Sequence, residues 1–325
     1  MRSANLFPLM ADRALYWLAR GMIGFIQVLP LTVAARIGRG LGWLAYFLDA
    51  RHRRVAQQNL AAALDTTPAS AQIKKLAREN FQRIGEAYCS AIKTSAMSPE
   101  AVASRLEFSG LENLKQLHRD HPRCSAIGAI GHFGNFEIYA RLGAFIPGFR
   151  AAATFRGLRQ PGLNRLLAEL RSTSGCLFFE RRTDAHALKA AMNQGGILLG
   201  LLADQHGGDG GVPLPFLGRI CSTNPAPAVF ALRYHAPLFV AICYRVALAR
   251  WRVEVSPFIA THEQGKPRKV EDIMHDVNTQ FENAIRRDPA NWFWVHNRWK
   301  AMKPRRHARP SPSLAPTPPA PPPAG

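Results

Sequence analysis

The seven residues GHFGNFE, positions 131–137, hold a histidine and a glutamate five apart among glycines and an asparagine. In a regular helix, positions five apart differ by about 500°, so His132 and Glu137 would point roughly 140° away from each other. They meet only if His132 lies on a turn and Glu137 in the first turn of the helix that follows, where the helix dipole also favours a carboxylate. A carboxylate bonded to one imidazole nitrogen fixes the tautomer and raises the basicity of the other. The imidazole then serves as a general base for a hydroxyl, with no covalent enzyme intermediate required. The spacing alone fits equally a buried histidine at a helix start beside an ordinary first-turn acid.

Other chemistries leave no signature. No G-x-S-x-G elbow or P-loop is present, and GRGLGW (38–43) mimics a dinucleotide loop only until Trp43 takes the last glycine's place. His118, His121 and Cys124 have a metal-like spacing, but no fourth ligand is evident and Pro122 interrupts any helical facing, so they suit a loop leading into a strand. DQHGGDGG offers Asp204, His206 and Asp209, where four glycines favour a flexible turn over a metal cage. Five scattered cysteines without a CxxC pair suit reduced thiols.

The elements that must position His132 follow from hydrophobic period. CSAIGAI (124–130) is a short apolar run that predicts a buried strand, and ILLGLLAD (197–204) predicts another after a helix closed by Gly195 and Gly196. Positions 66–92 carry helical spacing at Ile73, Leu76, Phe81 and Ile84; STNPAPAVFALRYHA opens as a helix start. PLFVAICYRV and WRVEVSPFI are strand-like, and 269–289 is an amphipathic helix with Ile273, Val277, Phe281 and Ile285 on one stripe. Strands alternating with helices predict an α/β fold, a central sheet covered by helices. The segments are an N-terminal helical region (1–60), a main domain (61–305) and a proline-rich tail (306–325) expected to be disordered.

The formal charge is +20, from 42 Lys+Arg against 22 Asp+Glu, which calls for an acidic partner. Eight arginines in the first 60 residues edge two apolar segments, each shorter than the roughly 20 residues that span a bilayer. Such segments suit helices lying in the headgroup layer, or packed on the core, or both. Trp292, Trp294 and Trp299 fit interfacial anchoring or core packing equally, and Arg298, Lys300, Lys303, Arg305, Arg306 and Arg309 form a basic cluster free of acids. Nothing resembles a helix-turn-helix, zinc finger or RNA-binding signature, so no nucleic-acid partner is expected.

GHFGNFE resembles the H-x4-E block of the late lipid A biosynthesis acyltransferases, within the wider glycerolipid acyltransferase superfamily. FRGLRQPGLNRLLAELR (155–171), LLADQHGGDGGVPLPFLG (201–218), TNPAPAVFALRYHAPLFVAICYR and DPANWFWVHNRWK are similar to further family blocks in the same order, over about residues 10–300. Gln160–Pro161 stands for the usual Asn-Pro, and Phe136 stands where Trp is common. The resemblance implies a mostly parallel sheet, no metal or cofactor, and transfer of a fatty acyl chain from acyl carrier protein to a hydroxyl of an anionic glycolipid at the cytoplasmic face of the inner membrane. His132 would be the base and Glu137 its orienting acid. Arg156, Arg171 and Asp204 would meet substrate, while Gly131, Gly134 and Asn135 would border an oxyanion site of backbone N–H groups. A lysophospholipid, an ornithine-type lipid or a mannosylated phosphoinositide is an alternative acceptor. A non-enzymatic basic protein binding membrane or nucleic acid is the rival from another class.

Overall fold

The computed structural model describes residues 6–146 and 148–301. Three helices begin the chain, α1 (Leu6–Val28), α2 (Leu31–Leu48) and α3 (Ala50–Ala63), followed by the long α4 (Ala71–Ser95). The Ser70 hydroxyl caps α4 by accepting the Ile73 amide at 3.2 Å, satisfying one of the N–H groups a helix start leaves without a partner.

After a short α5 (Pro99–Ala103) come β1 (Leu106–Ser109), α6 (Glu112–Asp120) and β2 (Ala126–Ile130). A 3-10 segment, Phe136–Ala144, precedes β3 (Arg150–Phe155), α7 (Pro161–Ser172), β4 (Leu177–Glu180), α8 (Ala185–Gln194) and β5 (Ile197–Leu202). The hairpin β6 (Val212–Phe216) and β7 (Arg219–Thr223), then α9 (Ala226–Arg233), β8 (Leu238–Ala247), β9 (Arg250–Val255) and α10 (Val270–Arg287) complete the body.

Seven strands form one sheet in the order β1-β9-β8-β2-β5-β3-β4. The five from β8 to β4 run parallel, and the antiparallel hairpin β8–β9 turns β9 and its parallel partner β1 the other way. This is the expected α/β fold with a mostly parallel sheet. The middle strands AIGAI and ILLGLL have no polar alternation because helices cover both of their faces.

One core joins Ile127, Leu199 and Leu201 to α8, α9 and the stripe of α10, where Ile273, Val277, Phe281 and Ile285 are all buried. The other joins Ile130, Leu198 and Phe239 to Ile138, Tyr139 and Leu142 of the 3-10 segment. The N-terminal helices feed both cores, through Ala56 and Leu60 of α3 on one side and Leu31 and Ala35 of α2 on the other.

Several outer expectations change. Arg39 turns inward to Glu79 and Glu86, and Arg53 donates to the carbonyls of Tyr46 and Phe47, so these two do not edge an external apolar face. Trp292 and Trp294 are core residues, and Arg298 is fully buried, donating to the Ser222 carbonyl and, at 2.9 Å, to the Thr223 hydroxyl. The rest of that basic cluster from Lys303 onward, and the proline-rich tail, lie outside the described residues. Among the described residues no group of His, Cys, Asp or Glu is placed to hold a metal ion.

Candidate functional site

The parallel strands β2, β5, β3 and β4 end on one edge of the sheet, and His132, Asp204, Arg156 and Arg181 each follow one of those ends by one or two residues. In open α/β sheets that edge is where ligands bind. A cavity of about 1000 Å³ opens there, with His132, Glu137, Arg156 and Arg171 on its wall.

Register explains the central contact. Ile130 of β2 pairs with Leu202 of β5, so the residues two further on, His132 and Asp204, stand opposite each other. Asp204 Oδ1 lies 2.9 Å from His132 Nδ1, and Oδ2 accepts the His132 backbone amide at 2.9 Å. The Trp292 indole donates to the same Oδ2 at 2.8 Å. An ionised carboxylate only accepts, so Nδ1 carries a proton, and in the neutral imidazole Nε2 is the nitrogen with the lone pair. Asp204 has no solvent exposure, while the His132 side chain is 16% exposed.

Burial is the largest influence on Asp204 and would raise its pKa. The charge of His132, the two hydrogen bonds from that residue and the Trp292 indole together bring it below the usual value. The imidazole is flanked by the rings of Phe136 and Phe293, with centroids at 4.8 and 5.8 Å.

Glu137 does not orient His132, contrary to expectation. It sits in the first turn of the 3-10 segment, as the spacing requires, but its carboxylate faces α7 and takes a two-pronged pair from Arg171: Nη2 to Oε1 at 2.7 Å and Nε to Oε2 at 3.2 Å. The reason is the turn itself. It turns both the amide and Nδ1 of His132 toward the end of β5, leaving Glu137 one turn further on beside α7. Arg171 in turn lies over the rings of Phe178 and Phe155.

The remaining expected positions separate into two groups. Arg156 and Arg171 line the cavity, whereas Asp204 lies behind His132 rather than facing substrate. Gly131, Gly134 and Asn135 shape the turn. Gly134 has φ +51°, and a Cβ there would stand 2.6 Å from the Cys243 carbonyl, so only glycine fits. Asn135 is buried. Three amides of the stretch expected to hold an oxyanion are engaged: His132 with Asp204, Phe133 with the Gly131 carbonyl and Gly134 with the Asn291 carbonyl.

Sequence reasoning missed His296. Its Nε2 accepts the His206 amide at 3.1 Å. Burial pushes its pKa down to about 4; Asp204 opposes that, and the charges of His132, Arg298 and His206 add to it. It therefore supports the loop after Asp204 as a neutral acceptor.

Most of the chain also resembles known proteins. Residues 7–301 match the family described as bacterial lipid A biosynthesis acyltransferase. The lipid A biosynthesis palmitoleoyltransferase of Escherichia coli (strain K12) is 24% identical over 293 residues, covering 88% of this chain and 91% of that protein. A lipid A biosynthesis acyltransferase of Shigella flexneri shows the same identity and coverage.

Proposed function

The chain belongs to the bacterial lipid A biosynthesis acyltransferase family, and on that premise we propose how its site carries out acyl transfer in lipid A biosynthesis. The donor is a fatty acyl thioester on acyl carrier protein, and the acceptor is a hydroxyl of a phosphorylated lipid A precursor. Nε2 of His132 takes the hydroxyl proton as the oxygen attacks the thioester carbonyl, while Nδ1–H stays on Asp204. The tetrahedral intermediate collapses with loss of the C–S bond, and the departing thiolate leaves with the proton from Nε2.

Glu137 acts through Arg171 rather than through the base. The ion pair uses Nε and Nη2, leaving Nη1 for the thioester oxygen, where a fixed cation stabilises developing negative charge. Arg156 meets an anionic group of the acceptor.

The observation that carries this reading is the His132–Asp204 pair on the wall of a large apolar cavity at the carboxyl edge of the sheet. The test is incubation of the purified protein with radiolabelled acyl carrier protein and total membrane lipids, identifying which lipid gains label. Label on a lipid A precursor is the expected result. Label on a lysophospholipid or ornithine lipid instead would overturn the acceptor assignment.

We propose that the enzyme works at the cytoplasmic face of the inner membrane, and the exposed apolar residues of the N-terminal helices support that reading. Exposed Trp17, Leu18, Met22, Phe25 and Val28 occupy an arc of roughly 140° on α1, and exposed Leu41, Trp43, Leu44, Phe47 and Leu48 a similar arc on α2. No helix among the described residues is long and apolar enough to cross a membrane. Exposed Arg13, Arg20 and Arg36 add attraction to anionic lipid.

A further inference from the structure

The cavity reaches both faces of the sheet. Along β5 successive side chains alternate between faces; Leu198 belongs to the core beneath the 3-10 segment, and Leu199 and Leu201 to the core beneath α8 and α9. Walls from both sides enclose the same space: Tyr139 and Leu142 of the 3-10 segment on one, Leu188 of α8 with Val229 and Phe230 of α9 on the other. Arg156 and Gln205, just past the ends of β3 and β5, also line it, so the two lobes meet at the strand ends beside His132.

The lobes differ in character. On the 3-10 side the sheet register aligns one transverse row, Phe239, Gly128, Gly200, Ala153 and Phe178, and all five line the cavity. Two glycines and an alanine between two phenylalanines make a trough across the strands. From Gly128 to Phe178 it crosses three strand spacings, about 14 Å. A Cβ on Gly128 would stand 3.0 Å from the Phe239 ring, so that buried ring closes one end. The Tyr139 hydroxyl is held by the Ala241 carbonyl at 3.0 Å, leaving its ring to the trough.

The lobe under α8 and α9 is instead open and rimmed by cations. Val229 is partly exposed, and Lys189 and Arg233 stand at the rim with no carboxylate partner in the described residues.

We infer that the two lobes hold two different alkyl chains in the reacting complex: the donor's acyl chain in the trough and an acyl arm of the acceptor lipid under α8 and α9. This rests on the acyltransfer reading above. The closed trough beside the base suits a chain whose length is sensed. The open, cation-rimmed lobe suits a chain still attached to a bulky anionic headgroup, whose phosphate Lys189 and Arg233 meet. The Gly128–Gly200–Ala153 row thus determines donor length, and α9 determines acceptor affinity.

The test uses the purified full-length enzyme with acyl carrier thioesters of graded chain length and a purified lipid A precursor. Gly200→Val fills the trough; its Cβ meets the movable end of Ile130 at 3.2 Å and the Ala152 carbonyl at an ordinary contact distance of 3.7 Å. Losing room for two methylenes lowers kcat/KM for the longest good donor by roughly tenfold and shifts preference to shorter chains, with acceptor KM unchanged. Val229→Trp, at a partly exposed position, raises acceptor KM roughly tenfold and leaves donor preference as it was. If Gly200→Val fails to fold, Ala153→Leu in the same row carries the same expectation. The inference is overturned if trough variants alter acceptor KM but not donor preference, or if Val229→Trp shifts donor preference or leaves acceptor KM unchanged. A wild-type enzyme that acylates no lipid A precursor would instead defeat the reading beneath it.

Discussion

Asp204 holds His132 at two points at once, its Oδ1 opposite the ring Nδ1 and its Oδ2 on the backbone amide, both at 2.9 Å. A single contact would let the imidazole pivot; two from one buried carboxylate fix ring position and tautomer together. The Trp292 indole fixes the carboxylate in turn. The path from strand register to the proposed proton transfer is therefore short: Ile130 pairs with Leu202, the residues two further on in each chain segment face each other, and in the proposed reaction the lone pair of Nε2 meets the substrate hydroxyl.

Replacing Asp204 by asparagine separates geometry from charge. The amide oxygen can keep the two N–H bonds from His132 and Trp292, which turns the NH₂ toward Nδ1 and forces the ring proton to Nε2. The base is then lost without loss of fold. Asp204→Asn is expected to lower kcat by ~10²–10⁴, close to the effect of His132→Ala. Steady-state kinetics with far-ultraviolet circular dichroism as the folding control checks this; near-wild-type kcat in either variant would remove the pair from the chemistry.

The Glu137–Arg171 pair should behave as one unit. Either Glu137→Gln or Arg171→Met breaks the fork, so the double variant is expected to be little worse than the weaker single one. A double-mutant cycle on kcat/KM then gives a coupling of about 1–2 kcal/mol. Arg171→Lys should fail to rescue, since an ammonium cannot reproduce the planar two-pronged contact. Additive losses would mean the two side chains act separately.

How much of this is legible in the sequence depends on sequence separation. The turn after AIGAI, Glu137 in a first helical turn, the strand ILLGLL and the α10 stripe all follow from local period. β3 and β4 do not, because RAAATF is alanine-rich and LFFE has only four residues, too weak a pattern to stand out. The partner of His132 lies 72 positions away. Its one signal is that His132 and Asp204 each follow closely on an apolar run, AIGAI and ILLGLLA, and only the β2–β5 register turns that coincidence into contact. Glu137, five residues off, is the nearer acid along the chain and the wrong one in space.

The apolar arcs on α1 and α2 predict reversible binding to anionic vesicles. Trp17 and Phe25 are 66% and 58% exposed, so Trp17→Ser with Phe25→Ser should leave thermal stability within about 0.5 kcal/mol of wild type. Inserting each ring contributes about 1.5–3 kcal/mol, so the double variant should lose at least tenfold in vesicle partitioning by co-sedimentation. Unchanged partitioning would move the contact surface elsewhere.

Acidification should weaken the fold in two separable steps. His296 binds its proton near pH 6.5 when unfolded but only near 4 when folded, so the unfolded chain holds more protons between those values and stability falls as pH drops through that window. The full shift would be about 3 kcal/mol, which the partial exposure of the ring reduces to roughly 1–2. Asp204, held below its ordinary value, contributes stability that is present above the unfolded carboxylate range and disappears only at more acid pH, through its folded pKa. His296→Gln keeps an acceptor for the His206 amide and has no charge to gain. Urea unfolding followed from pH 7 to 5, above the carboxylate range, should therefore slope less in this variant than in wild type. Equal slopes would show that His296 is not the group whose protonation loosens the loop behind Asp204.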